Sequence, residues 1–246
     1  LLYAHLLLYQ ANLHHFFKNV DEAIRLATKA IDIQKQFLGD NNLEYASSLN
    51  RLASYYSSIE KYDKAIPLLR KAMAITADKD QYQYSDLLNT LTDIYEKKGN
   101  IDEAIQLLKE SQQLLRKYVC NNEDQYGLLL YTGTLIRLAS CYKSKEEYNE
   151  AVQLDTEALE ITYQLYGKNN PFYAEGLNDL AFDYYNLGQN ERAISLIREY
   201  LPMVRYFLLN SFIGLTSNER FMFWNRFSID LETNIPLLII HSDTPH

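Results

Sequence analysis

One pattern restricts this chain more than any other feature. Leu49, Leu52, Ala53 and Tyr56 return at the same offsets as Leu88, Leu91, Thr92 and Tyr95, as Leu135, Leu138, Ala139 and Tyr142, and as Leu177, Leu180, Ala181 and Tyr184. Nine residues after each Tyr stands an alanine: Ala65, Ala104, Ala151 and Ala193. Each of these follows a charged residue and precedes Ile or Val. Seven residues further on a small residue recurs at Ala72, Ser111 and Ala158, and Tyr200 breaks that column. A weaker earlier copy has Leu7, Ala11, Ala23 and Ala30, with His14 in the place of the Tyr. From Ala23 onward the key alanines are 42, 39, 47 and 42 residues apart. A chain built on such a period is a stack of similar units.

The residue types fit helices. Leu at i and i+3, a small residue at i+4 and Tyr at i+7 share one helix face. The small residues let two helices cross closely, and the Tyr ring covers the seam between them. One pair of helices cannot bury its own apolar face, so stability comes from stacking neighbouring pairs. The spacing predicts helices at 1–17, 20–38, 43–58, 61–77, 81–98, 101–118, 124–144, 147–166, 171–187 and 190–210. Composition agrees: with 8 Gly and 5 Pro in 246 residues, the chain lacks the frequent turn formers of a sandwich or barrel. Its 21 tyrosines point to positions used many times.

This pattern resembles the tetratricopeptide repeat, whose signature is a large residue, then Leu-small-x-x-Tyr, then Ala. The ordinary period is about 34 residues, and the longer one here is similar to the kinesin-light-chain variety. Three turns between pairs are alike: Gly39-Asp40-Asn41-Asn42, Gly167-Lys168-Asn169-Asn170, and a degenerate Cys120-Asn121-Asn122-Glu123. Gly suits a helix C-cap and Asn-Asn an exit turn. The resemblance implies an all-α, right-handed α-solenoid of about five helix pairs, with repeats near 1–42, 43–80, 81–123, 124–170 and 171–210.

Beyond Tyr200 the pattern stops. Thr216-Ser217-Asn218-Glu219 reads as a capping box, and Phe221, Trp224 and Phe227 follow on one stripe. The expectation for 211–246 is a C-terminal capping helix, covering the last repeat, and a linker to a further domain. Glu219-Arg220, Phe223-Trp224-Asn225 and Phe227 also resemble the junction between such repeat arrays and a downstream CHAT domain, a caspase-like protease module of bacterial proteins. That resemblance implies that the chain is the N-terminal arm of such a protein. It carries over no catalytic residue, because no His/Cys pair of that kind maps here.

The net charge of −8 argues against nucleic-acid binding, which needs a basic face. No apolar run reaches the length of a membrane span. Cys120 and Cys141 lack the close pairing of a zinc site; one bridge between them stays open, and with it the redox compartment, though a cytoplasmic setting is favoured. His14 and His15 point to different helix faces, and His14 is expected to pack. Metallopeptidase, phosphate-loop and nucleophile-elbow motifs are all missing. No enzyme activity, metal or cofactor is therefore expected of this chain.

Binding is the remaining expectation. In the resembled architecture the first helix of each pair lines a concave groove. The position after the first Leu is Leu8, Asn50, Asn89, Ile136 and Asn178. An Asn amide offers an acceptor and two donors, which suits both sides of a peptide backbone, and the resemblance implies that use here. Asn as a merely tolerated solvent-facing residue is the other reading. The next positions bring Arg51, Arg137 and Asp179, and one turn on come Ser54, Asp93 and Phe182. These nine residues from Asn50 to Phe182 are the candidate peptide-binding site. They do not match the Lys/Asn clamp of chaperone-binding repeats. The expected partner is a protein or an extended peptide. A regulatory arm for a CHAT-type protease and a self-associating or peptide-sensing module are the alternatives.

Overall fold

The computed structural model describes residues 1–119 and 124–211, and every element in them is helical. The helices are α1 (Leu2–Phe16), α2 (Val20–Leu38), α3 (Leu43–Ser58), α4 (Tyr62–Thr76), α5 (Gln81–Lys97), α6 (Ile101–Val119), α7 (Gln125–Ser144), α8 (Tyr148–Tyr166), α9 (Pro171–Asn186) and α10 (Asn190–Ser211). Each end lies within one residue of the span read from the sequence. The expected capping helix, with Thr216 to Glu219, Phe221 and Trp224, lies outside the described residues, as does Cys120.

The chain divides into two compact units, Leu1–Gly127 and the part from Leu128 onward. In the first, α1 packs on α2, α3 on α4 and α5 on α6, and these hairpins stack through α2 on α3 and α4 on α5. In the second, α8 packs on α9 and α9 on α10. There α7 is tied to α8 by the Tyr131 hydroxyl, which donates to Glu157 Oε1 at 2.7 Å.

The repeated small residues sit where helices meet. Ala23, Ala65, Ala104, Ala151 and Ala193 are all fully buried, and so are Ala11, Ala53, Ala139 and Ala181. Thr92 takes the same place in the third hairpin; its hydroxyl donates to the Leu88 carbonyl at 2.8 Å and so leaves no unmet polar group. Tyr200 departs from the small column yet is also fully buried. It packs with Tyr173, Ala174 and Leu177 in the last hairpin.

Every hairpin turns in the same way. One residue adopts the left-handed conformation: Lys18 (φ 63°), Glu60 (58°), Gly99 (75°), Glu146 (60°) and Gly188 (71°). The N–H after it then reaches back to the carbonyl of the signature position, as from Lys61 to Tyr56, Asn100 to Tyr95, Glu147 to Tyr142 and Gln189 to Tyr184, all at 2.8–2.9 Å. This is a Schellman-type helix end. Between hairpins, Gly39 and Gly167 end α2 and α8. The second Asn of each exit turn then serves as an entry cap: Asn42 and Asn170 accept the N–H groups of Glu44 and Phe172, each at 2.8 Å.

Nine of the tyrosines fall in two columns. Tyr56, Tyr95 and Tyr184 are half-buried over the hairpin seams and Tyr142 is buried, as the sequence leads one to expect. Lys64 and Arg192, each one residue before a key alanine, lie over the Tyr56 and Tyr184 rings. A second column stands four residues before the first Leu. Here Tyr3, Tyr45, Tyr84, Tyr131 and Tyr173 pair with Lys29, Lys71, Glu110, Glu157 and Glu199 on the second helix of the same hairpin. The separation is 26 residues in every case. Burial, and then the bond to Glu110, pushes the Tyr84 hydroxyl up to about 12.

Candidate functional site

Each unit carries a cleft beside its first helices, and each cleft follows from the repeat. In the first unit a cleft of about 300 Å³ lies among α1, α2 and α3, with His5, Tyr9, Asn12, Gln34, Glu44 and Arg51 among its walls. Several polar groups meet there. His5 Nε2 stands 3.2 Å from Glu44 Oε2, and the Tyr55 hydroxyl donates to Asn12 Oδ1. Gln34 is 1% exposed, and its Oε1 has no hydrogen-bond partner among the described residues. Such groups can bind a polar chain; they include no activated nucleophile.

In the second unit a cleft of about 220 Å³ opens among α7, α8 and α9. Leu129, Ile136, Leu159, Leu165 and Phe172 make its apolar walls, and Asp155, Glu175 and Asp179 bring carboxylates to it. Two glycines shape it. A Cβ on Gly133 would meet nothing within 4 Å, so the α7 wall is open there. A Cβ on Gly176 would lie 2.8 Å from Leu159 Cδ1, so a side chain there would push the Leu159 tip aside.

At one edge of this cleft the carboxylates share a single ammonium. Lys143 Nζ stands 2.7 Å from Asp155 Oδ2, 3.6 Å from Asp183 Oδ1 and 3.8 Å from Asp179 Oδ1. Asp155 and Asp183 are buried, and Asp179 is open to solvent. Burial by itself lowers the Lys143 ammonium, but Asp179, Asp155 and Asp183 around it outweigh that and raise it. Burial pushes the Asp183 carboxyl up to about 8; Lys143 opposes this, while Asp155 and Asp179 add to it. One cation therefore serves three carboxylates, and the buried one furthest from compensation keeps its proton most readily.

The candidate residues are divided by these clefts. Arg51 and Asp179 occupy the same position of their repeats, and each lines one. Asn50, Asn89 and Asn178 line neither. All three are half-buried, and Asn50 Oδ1 is turned away from solvent. Ser54 donates to the Asn50 carbonyl at 3.1 Å, so its hydroxyl serves its own helix. Asp93 is exposed and Arg137 half-buried. Phe182 is 37% exposed and meets Tyr148 edge-on, with ring centroids 6.2 Å apart. The expected column also passes over the residues one turn earlier. His5, Ser47, Gly133 and Glu175 stand four positions before Tyr9, Arg51, Arg137 and Asp179, and all four line the clefts. Four-residue spacing on one helix face would have found them.

Other chemistry is sparse. His15 stacks on Tyr55 with centroids 4.8 Å apart, while His14 is half-buried beside Asn19. Cys141 is a buried thiol within α7. Among the described residues no group of His, Cys, Asp and Glu could hold a metal, and no helix is long and apolar enough to cross a membrane.

Family models for the tetratricopeptide repeat match residues 2–78 and 131–205, and a second such model matches 85–116. No curated protein matches the sequence. Among solved structures, a Podosopora anserina putative kinesin light chain with nearly identical TPR-like repeats is 21% identical, with a TM-score of 0.67 over 81% of this chain and 93% of that one. BtubC (BKLC) from P. vanneervenii is 16% identical, with a TM-score of 0.64 over 92% of this chain and 94% of that one. The Rap conjugation gene regulator of plasmid pLS20, solved in complex with the Phr* peptide, is 17% identical, with a TM-score of 0.56 over 83% of this chain and 54% of that one. At these identities the likeness is one of fold. With matched repeats over more than half its length and buried alanines at each repeat position, the chain belongs to the tetratricopeptide repeat family.

Proposed function

We propose that this chain is a binding module, with no chemistry of its own, that holds an extended segment of a partner protein against its first helices. The observation that carries the reading is that Arg51 and Asp179, one repeat position in two separate units, both line clefts beside those helices. The fold is shared with a regulator solved with a bound peptide, which supports the same use of the repeats. Of the other candidate residues, Asn50 and Ser54 stand on α3, Asn89 and Asp93 on α5, Arg137 on α7, and Asn178 and Phe182 on α9, each on the first helix of its hairpin.

Fluorescence anisotropy with labelled, unstructured peptides and the full chain tests this. Arg51→Ala with Asp179→Ala weakens binding, and Asn89→Ala with Asn178→Ala weakens it by a few kcal/mol at most (about 1 per hydrogen bond lost). Unchanged affinity in both double variants refutes the reading. A regulatory role ahead of a protease rests on the Glu219-Arg220 and Phe223-Trp224-Asn225 motif. A gene in which no His/Cys caspase-like domain follows His246 overturns that part.

A further inference from the structure

The first helix of the chain has two apolar faces, and only one of them is covered. Ala4, Leu7, Leu8 and Ala11 of α1 are buried. Leu2, Leu6, Tyr9, Leu13 and Phe16 stay between 42% and 87% exposed. A helix that is apolar all round belongs in an interior. The repeat shows what the open side is built for. In α3 and α5 the places of Leu6 and Leu13 are taken by Ser48 and Tyr55 and by Leu87 and Ile94, all four buried. Those two helices each stack on the hairpin before them, α3 on α2 and α5 on α4. The open side of α1 therefore corresponds to a helix-stacking face.

Spacing, charge and area say which helix fits it. The exposed residues follow one another at steps of 4, 3, 4 and 3, which is the a/d seam of two helices that wind together. Such a seam can meet an identical one. Among the described helices α1 alone has no Asp, Glu, Lys or Arg. A copy of the same face therefore brings no like charge against it, although the chain as a whole carries −8. The lack of Lys and Arg also sets α1 apart from helices that lie on lipid, whose polar face is basic. Together with Leu1, Tyr3 and Phe17, also exposed, the stripe leaves roughly 800 Å² open. That exceeds the about 300–600 Å² of the largest apolar patch on a typical monomer. It matches the roughly 800 Å² that each partner buries in a stable complex.

We propose that two copies of this chain pair through α1, face to face about a two-fold axis, with Leu2, Leu6, Tyr9, Leu13 and Phe16 of each copy closing the seam. A two-fold contact uses the same patch on both copies, so every substitution in the stripe counts twice. The inference stands apart from the binding-module reading: of the stripe only Tyr9 also lines a cleft, the first. The contact is apolar, so salt should not weaken it, and screening of the net charge should favour it.

Sedimentation equilibrium of the full chain is expected to show monomers and dimers in exchange, with a dissociation constant of about micromolar or tighter. Leu6→Glu with Phe16→Glu should weaken pairing about a hundredfold or more, while circular dichroism keeps its helical signal. Should those charges unfold α1, Leu2→Ala with Phe16→Ala removes apolar surface alone and should weaken pairing about tenfold or more. Phe37→Glu, at a similarly exposed aromatic of α2, should leave pairing unchanged. Pairing unchanged in the folded double variants overturns the inference, as does an equal loss in Phe37→Glu or growth past two copies. A chain that is monomeric at every concentration also overturns it, whether α1 is then free, covered by residues encoded ahead of Leu1, or seated on phospholipid vesicles. The binding-module reading keeps its own peptide test in each case.

Discussion

The buried carboxyl of Asp183 makes stability depend on pH in a direction opposite to that of an ordinary salt-bridged acid. Asp183 is fully buried and Asp155 nearly so, with Lys143 Nζ closer to Asp155 (2.7 Å) than to Asp183 (3.6 Å). In the folded chain the Asp183 carboxyl is pushed from its ordinary 3.8 up to about 8, chiefly by burial. In the unfolded chain it ionises near 4. Between those values the folded state holds one more proton than the unfolded state. Stability therefore falls as pH rises, by at most about 1.4 kcal/mol per pH unit. Water and side-chain relaxation reduce this, so the expected loss between about pH 5 and about pH 8 is roughly 1–3 kcal/mol. Asp183→Asn keeps the shape and removes the charge. Urea unfolding should show the natural chain and the variant drawing together towards pH 4 and the variant gaining steadily above it. The difference between the two chains isolates Asp183, because Asp86, whose carboxyl is also raised by burial, is common to both. A variant that stays below the natural chain by a constant amount across this range would refute the reasoning. Lys143→Met is the companion: it strands Asp155 without its cation and should cost about 3–5 kcal/mol near pH 7.

Three further expectations follow from the repeat. Glu60 and Glu146 hold the left-handed turn that Gly99 and Gly188 hold elsewhere, so Glu60→Gly should raise stability by about 0.5–1 kcal/mol and Gly99→Ala should lower it by about 1 kcal/mol, as read by thermal melts. Removing the entry cap in Asn170→Ala should cost about 1 kcal/mol, whereas Asn169→Ala beside it should be near neutral. Tyr131→Phe deletes the hydroxyl that donates to Glu157 at 2.7 Å and should cost about 0.5–1.5 kcal/mol, a loss that Glu157→Gln should largely avoid.

Much of the fold is legible because it is local and repeated. Ala65, Ala104, Ala151 and Ala193 announce close helix crossings, since only a small side chain lets two backbones approach, and all four are buried. Helix ends were readable because caps and turns are written in nearby residues, although the role of Asn42 and Asn170 shifts from exit turn to entry cap. The column of Tyr45, Tyr84, Tyr131 and Tyr173 escaped notice for a different reason. Its partners change sign, from Lys71 to Glu110, Glu157 and Glu199, so no single residue type marks the other end.

The candidate site was less legible than the fold. Counting from the first Leu reaches Arg51 and Asp179, which line the two clefts. It gives the asparagines the leading part, yet Asn50, Asn89 and Asn178 line neither of the two clefts, whose walls take in Ser47, Gly133 and Glu175 one turn before Arg51, Arg137 and Asp179. By itself, then, the sequence determined ten helices, their ends and the residues wedged between them, all set by spacing along one chain. Only the tertiary structure decided which walls stay open and that Lys143 is shared among Asp155, Asp179 and Asp183. Those outcomes depend on distances between side chains on different helices, and no periodicity within one helix encodes them.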